Sequence, residues 1–166
     1  MLQTLLSRIG WFFVLLLLQT MIFNHVHIFG YATPLPYIYF LLILPSATPR
    51  WLYILSGFLL GLLIDLFTNT PGMAAFTTCL SGLIVPLLLR LFSSSDSDDG
   101  FEPSHRSMEW SSFLKFTVSA VFLHCLTFFT IEAFTFFDWA TLLIQIGGST
   151  LLTTLIVVAM ELVRTK

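Results

Sequence analysis

The sequence predicts an all-α integral membrane protein: six transmembrane helices in one domain, residues 1–166. Three observations carry this. Hydrophobic residues make up 57% of the chain and charged residues 10%, against roughly 25% charged in a soluble domain. There are 18 phenylalanines, more than a fold of this size can hide beneath a polar surface. Several apolar runs approach the ~20 residues that cross a bilayer as a helix. Backbone groups in lipid must be bonded within their own segment, so the spans are helices.

The first span is placed at 9–29. Arg8 precedes it as in a signal peptide, but no A-x-A cleavage pattern follows, so it is expected to stay as an uncleaved helix. The second, 31–48, is the weakest. Its apolar centre, Tyr37 to Leu44, is flanked by Pro34, Pro36 and Pro45, and it reaches span length only with proline kinks. The third, fourth, fifth and sixth spans are placed at 51–67, 72–92, 113–137 and 139–163. Between the fourth and fifth lies "SSSDSDDGFEPSHRSMEW", residues 93–110. Rich in Ser and Asp, it is expected to be a flexible loop with a short interfacial helix at Met108 to Trp110.

Charge placement orients these spans. The seven basic residues are Arg8, Arg50, Arg90, Arg106, Lys115, Arg164 and Lys166. With six spans and a cytoplasmic N-terminus, every one falls on the cytoplasmic side, as the positive-inside rule requires. Both termini and the 93–110 loop are then cytoplasmic. The outer face carries Asn24, His25, His27, Asn69 and Asp138, with Asp65 and Glu132 just beneath. A net charge of −2 is uninformative about nucleic acid, and no nucleic-acid partner is expected.

The stretch "GFLLGLLIDLFTNTPGMAAF", Gly57 to Phe76, places an acid at the outer end of an apolar helix. Positions four apart drift only ~40° on a helix, so Gly57, Gly61 and Asp65 form one narrow stripe. Gly57-x-x-x-Gly61 is a small-xxx-small packing motif that lets another helix approach closely. Thr70 is the expected N-cap of the next helix, with Pro71 at its first position. Asp65 either accepts bonds from free N–H groups at that helix start or holds a partner or a proton. If it only caps, Asp65→Asn should be mild, because an amide oxygen still accepts.

These residues resemble the signature of MreD, the rod-shape-determining membrane protein family of bacteria. Its features are a G-x-x-x-G-x-x-x-D helix, a short polar turn, then a glycine and an alanine opening the next helix. Gly57, Gly61, Asp65, Gly72 and Ala75 match them, and Pro71 lies in the turn. The resemblance covers about twenty residues plus the layout of short outer loops. It implies a non-catalytic scaffold of the inner (cytoplasmic) membrane, without a cofactor, within the cell-elongation machinery. The implied partners are MreC, bound directly, then MreB, RodA and a penicillin-binding transpeptidase in the same complex, and membrane lipid. It also implies a fold similar to the substrate-binding subunit of energy-coupling-factor transporters. The second functional expectation follows from that similarity: a subunit binding a vitamin-type small molecule. Polar and aromatic residues would then converge on an outward pocket, with His25, His27, Tyr31, Asn69, Glu132 and Asp138 as candidates.

Other polar residues bear on further chemistry. Ser81 and His124 at mid-membrane depth loosely echo an intramembrane Ser/His dyad, but the glycine expected two residues before the serine is Cys79. His25-x-His27 has no third ligand spaced for zinc, so no metal site is expected. Cys79 and Cys125 lie in apolar runs and read as small buried residues. His124 and Glu132 share a helix face but stand ~12 Å apart along the axis, with Phe128 between them. His124, Glu132 and Gln145 form a candidate polar bundle or pocket. Gln145, Gly147, Gly148 and Ser149 make a second small, polar packing surface.

Overall fold

The computed structural model describes residues 2–26, 32–93, 100–133 and 139–164, with the side chains of 2–6 and 25 excepted. His27, Tyr31, Asp138 and Lys166 lie outside the described residues, as does the side chain of His25. Every regular element among the described residues is helical: α1 (Leu2–Met21), α2 (Tyr39–Leu42), α3 (Arg50–Thr68), α4 (Met73–Phe92), α5 (Trp110–Glu132) and α6 (Trp139–Arg164). Single 3-10 turns cover Phe23–His25 and Pro36–Ile38.

Four helices, α3 to α6, are long and apolar enough to cross a membrane. Their outer surface is apolar: Leu66 and Phe67 are each 69% exposed, Leu143 67% and Trp51 63%. Water would not tolerate such continuous apolar area, whereas lipid tails would. The α3, α4, α5 and α6 bounds lie within three residues of those expected, apart from the α5 end. There Glu132 closes the helix, and 134–138 lie outside the described residues.

Two expected spans are corrected. The first helix is not 9–29 but Leu2–Met21, ending where the 3-10 turn at Phe23–His25 begins. The second span, 31–48, is not a kinked transmembrane helix. It is an extended run, one 3-10 turn and the four-residue α2. The prolines explain this: Pro34 and Pro36 lack N–H donors and push Thr33 and Leu35 toward extended backbone.

This segment nevertheless traverses the bundle, with every residue from Pro34 to Leu44 buried. The Thr33 N–H donates to Ser149 Oγ and the Leu35 N–H to Thr153 Oγ1, each at 3.0 Å. Further along, Tyr39 Oη donates to Glu161 Oε2 at 2.6 Å. The segment therefore runs parallel to α6 over about twelve of its residues, or ~18 Å. Non-helical backbone at membrane depth is tolerated only where protein surrounds it. Helices α1, α3, α4, α5 and α6 provide that wall, with successive contacts α1–α3, α3–α4, α4–α5 and α5–α6. The Ser149 surface of α6 is thus an internal contact, and its partner is the crossing segment.

One end of the bundle gathers the basic residues. Arg8 on α1 bonds Glu102 at 2.9 Å, and Arg164 at the end of α6 faces the other Glu102 oxygen at 3.6 Å. The Ser46 N–H donates to Phe101 O and the Gly100 N–H to Ser46 Oγ. The 100–109 half of the polar loop therefore bonds to the bundle, and 94–99 lie outside the described residues. Trp110 opens α5 directly, with no separate interfacial helix.

Candidate functional site

The α3–α4 hairpin is the most tightly built part of the structure. Two left-handed positions, three residues apart, make its turn: Asn69 at φ 56° closes α3, and Gly72 at φ 85° precedes α4. Asn tolerates this region through its short polar side chain, and Gly carries no Cβ penalty. Gly72 rather than Thr70 is the N-cap, and Met73 rather than Pro71 opens the helix. Pro71 and Gly72 are exposed in the turn and do not pack between helices.

Gly72 has no side chain to cap with, and Asp65 supplies the acceptor from the preceding helix. Its Oδ1 accepts the Ala74 N–H at 2.9 Å and its Oδ2 the Ala75 N–H at 2.8 Å. Thr70 Oγ1 donates to Oδ1 at 2.9 Å. These are the second and third N–H groups of α4, the pair an N-cap side chain ordinarily bonds. The helix dipole places its positive end at the same point. Asp65 is only 5% exposed, so three acceptor bonds offset the desolvation of the carboxylate.

The glycine stripe faces α4. A Cβ on Gly57 would lie 2.7 Å from Thr78 O; one on Gly61 would lie 2.5 Å from Ala74 O and also strike Thr78 Oγ1. From α4, a Cβ on Gly82 would lie 2.7 Å from Tyr53 O. The sequence reading missed Thr78 and Gly82, although Ala74, Thr78 and Gly82 repeat the same four-residue spacing of small residues.

Deeper in the bundle, Ser81 Oγ and His124 Nδ1 meet at 2.8 Å, so the pair is real. Ser81 Oγ also donates to Thr77 O at 2.8 Å. A serine has one proton; while it points to Thr77 O, only the Nδ1–H tautomer of His124 can bond Ser81, as the donor. That is the reverse of nucleophile activation, in which the imidazole accepts. His124 is 0% exposed and Ser81 6%.

At the Asp65 end lies a cavity of about 80 Å³. Gln19, Asn24, Thr33, Tyr37, Phe128 and Glu132 contribute to its lining. Glu132 is thus in the cavity wall, His124 sits two turns deeper against the Tyr37 ring, and half-buried Gln145 does not line it. Of the expected polar trio, Glu132 lines this cavity and His124 and Gln145 do not. Asn69 also lies outside that wall.

No family model, curated protein or solved structure matches the chain. Among the described residues no group of His, Cys, Asp and Glu is placed to hold a metal. A second network, Tyr39–Glu161–Arg164–Glu102–Arg8, runs from the buried Tyr39 and Glu161 to the part-exposed Glu102 and Arg8 and ties the crossing segment, α6, the loop and α1 together at the basic end. Its sequence signal was Glu161, an acid three residues before Arg164 in an otherwise apolar helix.

Proposed function

We propose that the protein is a non-catalytic membrane scaffold of the bacterial cell-elongation machinery, of the MreD type. The observation that carries this reading is the α3–α4 hairpin. Gly57, Gly61, Asp65, Gly72 and Ala75, which bear the resemblance, all serve that one construction. In this reading the hairpin is a rigid post, and the apolar outer faces of the helices receive MreC's single span. MreB, RodA and a penicillin-binding transpeptidase belong to the same assembly, and membrane lipid covers the remaining faces. The protein sits in the inner membrane with both termini cytoplasmic. The meeting of Arg8, the 100–109 loop and Arg164 at one end supports that topology.

The transporter-subunit reading is weaker. Its pocket would have to be the cavity at the Asp65 end, and about 80 Å³ falls well below the ~300–1,000 Å³ of drug-sized ligand sites. Deletion in a rod-shaped host tests the scaffold reading. Cells should round up, and tagged protein should co-purify MreC from native membranes after crosslinking. Normal rod shape and normal lateral wall insertion in the deletion strain would refute it.

A further inference from the structure

The cavity at the Asp65 end contains polar atoms that the fold itself leaves without partners. Gln19 and Tyr37 are each only 1% exposed, and both line it. Gln19 Oε1 and Tyr37 Oη have no hydrogen-bond partner among the described residues. Gln19 Nε2 reaches only Pro34 O, at a long 3.5 Å. A buried polar atom without a partner costs about 1–3 kcal/mol; Gln19 Oε1 can only accept and the Tyr37 hydroxyl can accept as well as donate, so the cavity beside them suits something that donates hydrogen bonds.

Charge narrows the occupant. All six basic residues described, from Arg8 to Arg164, lie at or near the opposite end, and none lines this cavity. The cavity wall carries a carboxylate, Glu132, and an aromatic ring, Phe128, which attracts cations through its π face. An anion would meet amide and hydroxyl donors such as Asn24 and Tyr37 but no basic side chain among the described residues, and the exposed Glu132 carboxylate would repel it. A metal ion would find a single carboxylate and no cluster of ligands among the described residues.

Size narrows it further. One water needs roughly 10–15 Å³ of such space, so about 80 Å³ takes a solute of roughly five non-hydrogen atoms. We propose that this cavity binds a small primary ammonium group, of the size of ethanolammonium. Gln19 on α1, Tyr37 on the crossing segment and Glu132 on α5 supply the acceptors. A free amine and a lipid headgroup both carry this ammonium chemistry, and the proposal holds independently of the scaffold reading.

The experiment uses the full chain, purified in detergent and, separately, in nanodiscs. Ethanolammonium is titrated by calorimetry, with tetramethylammonium as a cation that has no N–H. Saturable binding of ethanolammonium is expected, at least about tenfold tighter than tetramethylammonium and at least about tenfold weaker in both Tyr37→Phe and Glu132→Gln. Circular dichroism melting confirms that each variant is folded. Free-amine binding that persists in phosphatidylethanolamine nanodiscs identifies a soluble source. Binding lost there but kept in phosphatidylglycerol nanodiscs identifies the headgroup. Absence of saturable binding in the folded parent, equal binding of tetramethylammonium, or binding unchanged in both folded variants would each overturn the proposal.

Discussion

Replacing Gly61 by alanine tests whether the hairpin depends on backbone contact. The added Cβ would lie 2.5 Å from Ala74 O, whereas a carbon and a carbonyl oxygen settle at about 3.3 Å. Helix α4 must therefore back away by ~0.8 Å, and the obstacle is backbone, which no rotamer change can relieve. The same motion stretches the Asp65 bonds to Ala74 and Ala75, now 2.9 and 2.8 Å, past hydrogen-bond range. Overpacking costs about 1–3 kcal/mol, and a weakened cap on a buried carboxylate adds about 1 kcal/mol. The sum, about 2–4 kcal/mol, lowers the folded-to-unfolded ratio roughly 30- to 700-fold. Gly147→Ala and Gly10→Ala are the controls, because a Cβ at either meets nothing within 4 Å. The assay is membrane abundance together with thermal unfolding in detergent followed by circular dichroism. Gly61→Ala should fall well below the parent while both controls match or exceed it. A Gly61→Ala protein as stable as Gly147→Ala would show that the close approach of α3 and α4 is not what holds the hairpin.

Three other outcomes follow from the same geometry. Asp65→Asn should destabilise by about 1–3 kcal/mol in the same melt, because both carboxylate oxygens accept N–H groups and the new amide must set a donor against a donor. The mild effect expected for simple capping is thereby replaced, and an unchanged melting curve would contradict the cap. Ser149→Ala and Thr153→Val should each remove the side-chain acceptor that bonds the Thr33 or Leu35 N–H, at about 1–3 kcal/mol. Hydrogen exchange at those two amides should accelerate, and unchanged protection would mean that the crossing segment is held otherwise. In a background lacking Cys79 and Cys125, a membrane-impermeant thiol reagent added outside the cell should label Pro71→Cys and spare His105→Cys; the opposite pattern would invert the topology.

Legibility in the sequence followed the range of the interaction. Helices α3 to α6 are apolar runs closed by local polar turns, so a window of twenty residues contained what determines them. Asp65 was equally local: an acid one turn before a helix break, nine residues from the first N–H it accepts. The crossing segment was different. Pro34 and Pro36 announced that a regular helix would fail, but not what would replace it. An extended backbone in lipid is excluded unless its N–H groups find partners, and those partners, Ser149 and Thr153, stand 116 and 118 residues away. On their own helix they read only as small packing residues. The Ser81–His124 bond and the Arg8–Glu102 bridge span 43 and 94 residues. They depend on how each helix is rotated about its axis, which weak amphipathicity in a mostly apolar chain does not specify. The cavity belongs to the same class. Gln19 looked like one polar residue at the end of an apolar run, and Tyr37 like one aromatic among many. They meet in one wall because the proline-broken segment is too thin to fill the space a sixth regular helix would have filled. The feature that defeated the helical reading is thus the one that opens the site for the ammonium.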